Sequence, residues 1–172
     1  IHFPSSFDAL AQAKRRLAFE DLLKFLMAVN LHKEQVQKQT AQPFSMPDIL
    51  DENFKKCIPF PLTGAQLKCM QEIKTDLTSG TVMNRLIQGD VGSGKTVLAF
   101  YALYAAVKNG GQAALMVPTD VLAKQHYTGF LKYFPDINAV HVSGGMNKGK
   151  RDEVLAQIKG GEAKVIIGTH AL

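Results

Sequence analysis

The chain has 172 residues, 46% of them hydrophobic and 20% charged, and no apolar run near the roughly 18 residues that a bilayer span requires. Those values exclude a disordered, collagenous or membrane-spanning chain and leave room for one domain, or one and a fragment. Twenty Lys and Arg against 15 Asp and Glu give a net charge of +5, which permits a polyanionic partner without requiring one.

The stretch from Phe7 to about Gln39 is predicted helical, because Leu10, Ala13, Leu17, Leu22, Leu23, Leu26 and Val29 recur at helical spacing without Gly or Pro. Ser5 and Asp8 suggest a capping box at its start, with Lys14, Arg15, Arg16 and Lys24 on its wet side. A connector with Pro43 and Pro47 follows, then a short amphipathic helix carrying Ile49, Leu50, Phe54 and Cys57, then the extended Pro59-Phe60-Pro61. Residues 1–58 thus read as a helical arm and 59–172 as a second region. From Thr63 helices alternate with strands expected near Asn84 to Gln88, Gln112 to Val117, Ala139 to Val142 and Lys164 to Ile167, the pattern of a parallel α/β sheet. Phe100, Tyr101 and Tyr104 are expected in its core. Cys57 and Cys69 have neither zinc-knuckle nor redox spacing, fit a reducing cytoplasm, and are expected to pack as small apolar groups. His2, His32, His126, His141 and His170 show no paired metal-ligand spacing.

The chemistry sits in Gly89-Asp90-Val91-Gly92-Ser93-Gly94-Lys95-Thr96, which matches GxxxxGK[ST] between the apolar pair Leu86-Ile87 and the run Val97 to Phe100. Glycines there let successive amides from about Gly92 to Thr96 turn inward on a phosphate, at the positive end of the following helix. Lys95 then serves the β and γ oxygens of ATP, and the Thr96 hydroxyl a Mg²⁺ ion. Thr63 and Gln66 form a capping box that needs no ligand. With a phosphate loop downstream they admit a second role, in which the Gln66 amide reads adenine and Phe60 lends the base an apolar face.

The strings LTGAQ at 62–66, RLIQGDVGSGKTVLA at 85–99, ALMVPTDVLAKQHY at 114–127 and VIIGTHAL at 165–172 together resemble the RecG family of ATP-dependent DNA helicases, in helicase superfamily two. IHFP followed by AKRRLAFEDLL resembles the segment that joins that family's wedge domain to its motor, so the resemblance covers nearly the whole chain. It implies a partial RecA-like P-loop NTPase domain behind a helical arm, in a monomeric, cytoplasmic motor that uses ATP and Mg²⁺ to remodel branched DNA and stalled replication forks. It implies Gln66 as the adenine reader and Gly89 to Thr96 as the phosphate loop, with Lys95 and Thr96 the catalytic members. Pro118, Thr119 and Gln125, then Gly168, Thr169 and His170, fall on its DNA-tracking motifs. Thr119 and Thr169 would each hold a DNA phosphate at a strand end, contacts that position a strand without reading sequence. Asp120 stands where the family more often has Glu. Gly144 could let a DNA backbone approach, or serve only as a turn. The basic set Lys148, Lys150, Arg151, Lys159 and Lys164 could touch DNA or face solvent.

Past the phosphate loop no DExH-like run follows a buried strand, and no second motor domain is present. With Ile1 at its start and Leu172 just after an apolar run, the chain reads as the front of a first motor domain with its preceding arm, inactive alone. Two alternatives stand beside that reading: part of a transcription-repair coupling translocase, or a non-catalytic nucleotide-binding module.

Overall fold

The computed structural model describes residues 1–37 and 40–170, with side chains for 1–31 and 40–170. It divides into two compact units, Ile1–Gln42 and Pro43–Leu172. The first is built on α1 (Phe7–Gln37), so the expected helix is present to Gln37, and residues 38–39 lie outside the described ones. Its start differs from the expected Ser5 box: the Ala9 amide donates to Ser6 Oγ at 3.1 Å, because Ser6 is the residue directly before the first helical turn. Along α1 Leu17, Leu22, Leu23, Leu26 and Val29 are exposed, while Leu10 and Ala13 are half-buried.

The second unit begins at Pro43 and not after Ile58. The reason is packing: α2 (Asp48–Cys57) buries Leu50 and Phe54 in the same core as the helices that follow it. The Phe54 ring meets Tyr101 edge-on at 5.1 Å and stacks on Phe134 at 5.7 Å. Polar contacts add to this. Lys74 on α3 (Gly64–Thr78) donates to Asp48 and Asp51 of α2, each at 2.8 Å, and the Tyr101 hydroxyl donates to Asp51 at 2.6 Å. Helix α4 (Lys95–Lys108) is the most buried of the helices, with Val97, Leu98, Phe100, Tyr101, Leu103, Tyr104 and Ala105 all in the core. Each large side chain so placed contributes about 1.5 to 3 kcal/mol, which anchors the helix that opens at the glycine-rich turn Gly89 to Gly94.

Three strands form one parallel sheet in the order β1-β3-β2: β1 (Ala113–Met116), β2 (Ala139–Val142) and β3 (Val165–Gly168). Parallel neighbours need crossover helices, here α5 (Asp120–Tyr133) and α6 (Lys148–Lys159). β3 is central and buried throughout. Met116 and Val142 both pair with Gly168, so the three carboxyl ends finish level and the loops after them leave from one edge.

The strand expected at Asn84 to Gln88 is not formed. A strand exists only through its ladder, and among the described residues none reaches this segment; Leu86 is 88% exposed. Arg85 holds the segment instead, through Nε to Asp76 at 2.7 Å and a second guanidinium contact to Glu72. Cys57, the last residue of α2, is also exposed rather than packed and lines an open cleft with Tyr104 and Ile137, while Cys69 is half-buried; both thiols are free. Among the described residues no helix is long and apolar enough to cross a membrane.

Candidate nucleotide site

The candidate phosphate loop, Gly89 to Thr96, is shaped by two glycines in the left-handed region, Gly92 at φ 80° and Gly94 at φ 80°. Residues with a Cβ rarely adopt that conformation, so the loop's path depends on glycine at both positions. Crowding adds a smaller demand, because a Cβ would displace neighbouring side-chain ends and, at Gly94, the Gln66 amide that bonds the Ser93 carbonyl. A Cβ at Gly89 would sit 2.8 Å from Ser93 Oγ, and one at Gly94 would sit 2.3 Å from Gln66 Nε2. Gly94 is also the N-cap of α4, so the unpaired amides of a 14-residue helix begin at the loop. The Lys95 ammonium turns back over it, donating to the carbonyls of Gly89 at 2.7 Å and Asp90 at 2.6 Å. A cation poised over a ring of backbone groups, with positive helix charge beneath, suits an anionic ligand. Thr96 is half-buried one residue on, whereas Asp90, Val91 and Ser93 are exposed.

Gln66 is engaged at both ends of its amide. Thr63 N donates to its Oε1 at 2.8 Å while its own backbone N donates to Thr63 Oγ1 at 3.3 Å, which is the expected capping box. Its Nε2 donates to the Ser93 carbonyl at 3.0 Å. One Nε2 hydrogen and one Oε1 lone pair remain for a ligand. Phe60 is 43% exposed and lies beside Gly94, Thr96 and Phe100 in a cleft of about 300 Å³.

That cleft has a further wall that the sequence reading missed. Gln125, His126, Gly129 and Tyr133 of α5 line it as well. Gln125 was expected on the DNA track and stands in the cleft that also holds Phe60 and Thr96. The spacing of 126, 129 and 133 marks one helical face, so this wall was findable as a stripe.

The other candidates for nucleic-acid contact gather on the carboxyl edge of the sheet. Thr119, after Pro118, is the N-cap of α5, its Oγ1 accepting from Leu122 N at 3.3 Å. Asp120 follows it and lies 3.1 Å from His141 Nε2 on β2. Gly144 is exposed after β2, and a Cβ there would meet nothing within 4 Å. Thr169 is buried after Gly168, His170 is exposed, and Ala171 and Leu172 lie outside the described residues. Of the basic set, Lys148, Lys150 and Lys159 are exposed and Arg151 and Lys164 half-buried.

Comparison with known proteins sets this geometry in context. The DEAD/DEAH box helicase family matches residues 63–172. The ATP-dependent DNA helicase RecG of Streptococcus pneumoniae is 44% identical over 173 residues, spanning all of this chain and 26% of that protein. RecG of Bacillus subtilis is 40% identical over 177 residues, again 100% of this chain and 26% of the relative. A solved structure of RecG bound to a three-way DNA junction superposes with TM-score 0.86 at 39% identity, covering 99% of this chain and 24% of that one. The helicase MrfA bound to DNA shares the fold at TM-score 0.57 and 17% identity over 77% of this chain. The chain therefore spans about a quarter of the curated relatives named here.

Proposed function

This chain belongs to the DEAD/DEAH box helicase family, and from that membership we propose that it forms the front of the first RecA-like motor domain of an ATP-dependent DNA helicase. The observation that carries the reading is the phosphate loop: left-handed Gly92 and Gly94, the N-terminus of α4, and Lys95 folded over the loop carbonyls.

In this reading Lys95 exchanges its loop carbonyls for the β and γ oxygens of ATP, and the amides from Gly92 to Thr96 hold the rest of the phosphate charge. Gly89 and Gly94 keep clear the space a side chain would fill. The Thr96 hydroxyl fits a Mg²⁺ ion, which when bound would neutralise charge on the phosphate oxygens. Gln66 presents its remaining donor and acceptor to adenine while holding Ser93. Thr119, Gly144 and Thr169, on the level edge of the sheet, serve a DNA strand by phosphate contact. Likeness to RecG, one of whose structures holds a three-way junction, supports forked or branched DNA as the substrate.

The test is ATP turnover by the full-length protein with no DNA, linear duplex and forked duplex. Forked DNA should stimulate most. Turnover indifferent to all three would overturn the proposal.

A further inference from the structure

The cleft beside the phosphate loop contains a feature that packing does not explain. Gly129 lies inside the 14-residue helix α5, where glycine is unfavourable relative to alanine. Its φ is not left-handed, and an added Cβ would meet only the Phe100 ring, at an ordinary 4.0 Å. Neither backbone conformation nor crowding within the chain calls for glycine there. What the missing side chain does is leave open the cleft of about 300 Å³ that Gly129 lines with Phe60, Gly94, Thr96 and Phe100. That volume is at the lower end for small-molecule sites, so one side chain decides whether it is usable.

The cleft also has the chemistry of a nucleoside site. Phe60 and Phe100 are apolar ring surfaces, and His126 and Tyr133 stand edge-on to Phe100, each at 6.3 Å between centroids. Gln125 and His126 add hydrogen-bonding groups on the α5 side, the mixture that fits a flat heterocycle with a polar sugar. At the other end the lining is Gly94 and Thr96, the phosphate loop itself.

We propose that α5 supplies a wall of the nucleoside end of the ATP site, with Gln125 and His126 facing base and ribose and Gly129 kept bare to admit them. The proposal rests on the phosphate-loop reading above. It moves Gln125 from the DNA track to the nucleotide. It also makes one helix common to both ligands, because Thr119, the candidate DNA-phosphate contact, caps the same α5.

The experiment compares ATP with inorganic tripolyphosphate, which has the phosphates and no nucleoside, in the full-length protein by calorimetry. Gly129→Leu should weaken ATP by at least about tenfold, the scale of overpacking a filled site, and leave tripolyphosphate within about twofold. Gly129→Ala keeps the test readable if leucine disturbs the fold: it should raise the melting temperature, as a helix-favouring change, while weakening ATP alone by about threefold. Gln125→Ala, at an exposed position, should also weaken ATP and spare tripolyphosphate. Unchanged ATP affinity in folded Gly129→Leu or in stabilised Gly129→Ala overturns the proposal. Lys95→Ala separates the two levels. It should weaken both ligands, and if it weakens neither, the phosphate-loop reading fails as well.

Discussion

Gln66 and Ser93 are joined by a 3.0 Å hydrogen bond from the Gln66 amide to the Ser93 carbonyl, across 27 residues. The same side chain closes the capping box of α3, so the start of that helix and the phosphate loop share one amide. Replacing Gln66 by Glu keeps an acceptor for Thr63 N but removes the donor to Ser93 and to a base. Losing one such bond costs about 0.5 to 1.5 kcal/mol of stability. ATP affinity should fall more than GTP affinity, and a parallel fall for both, measured by calorimetry, would leave Gln66 with the capping role alone.

Gly94 and Gly64 make a matched pair of glycine-to-alanine tests. At Gly94 alanine would have to adopt φ 80° and would meet Gln66 Nε2 at 2.3 Å. Strain of that kind costs about 1 to 3 kcal/mol, so thermal unfolding should show a marked drop together with lost nucleotide binding. At Gly64, on the first turn of α3, an added Cβ meets nothing within 4 Å, and alanine should be neutral or stabilising by about 0.4 to 1 kcal/mol. Equal behaviour of the two variants would contradict the loop geometry described.

The α2, α3 and α4 contact predicts an alkaline limit to stability. Hydrogen bonds to Asp48 and Asp51 hold the Lys74 ammonium above its usual range. Burial, and next the bond to Asp51, pushes the Tyr101 phenol up. Both folded-state values are raised, so their contribution is complete below the ordinary values, about 10 for each group, and is lost as pH climbs through the folded ones. Urea midpoints should hold steady to about pH 9 and fall above about pH 10. Tyr101→Phe should cost about 1.5 to 3 kcal/mol near neutrality, as a bond to a carboxylate is lost, and flatten the alkaline fall. An unaltered alkaline profile in Tyr101→Phe would rule the phenol out of it.

The shape of the glycine-rich turn at Gly89 to Thr96, opening α4, and the Thr63-Gln66 box were legible because each is a local pattern whose geometry follows from its own residues. The strands at 113–116, 139–142 and 165–168 were legible to within a residue or so, being short apolar runs between turn residues. Asn84 to Gln88 reads the same way and is no strand, because apolar character cannot show whether a ladder partner is present. The packing of α2 within the second unit was not legible for a related reason: Phe54 meets Tyr101 and Phe134, and a contact that distant in sequence leaves no periodic trace. The spacing of His126, Gly129 and Tyr133 shows that they share one face of α5, but that spacing does not say that Phe60 and Thr96 stand opposite it.

Residues 1–172 by themselves should hydrolyse ATP only at background, with or without forked DNA. The sequence holds Lys95 and Thr96 but no acidic motif after a buried strand, and a transition-state arginine alone is worth about 10³ to 10⁵ in rate. Saturable, DNA-stimulated turnover that disappears on Lys95→Ala would show that the carboxylates lie within this chain, with Asp90 and Asp120 the first to replace.

Calorimetric titration of ATP in Mg²⁺ into the full-length protein and its Lys95→Ala variant tests the account most directly. Among the described residues the Lys95 ammonium hydrogen-bonds loop carbonyls only, so its removal should leave thermal stability nearly unchanged. Its loss should weaken ATP by about 1.5 to 3 kcal/mol, roughly ten- to a hundredfold. Equal ATP affinity in the two proteins, at equal melting temperature, would contradict the assignment of Gly89 to Thr96 as a phosphate site.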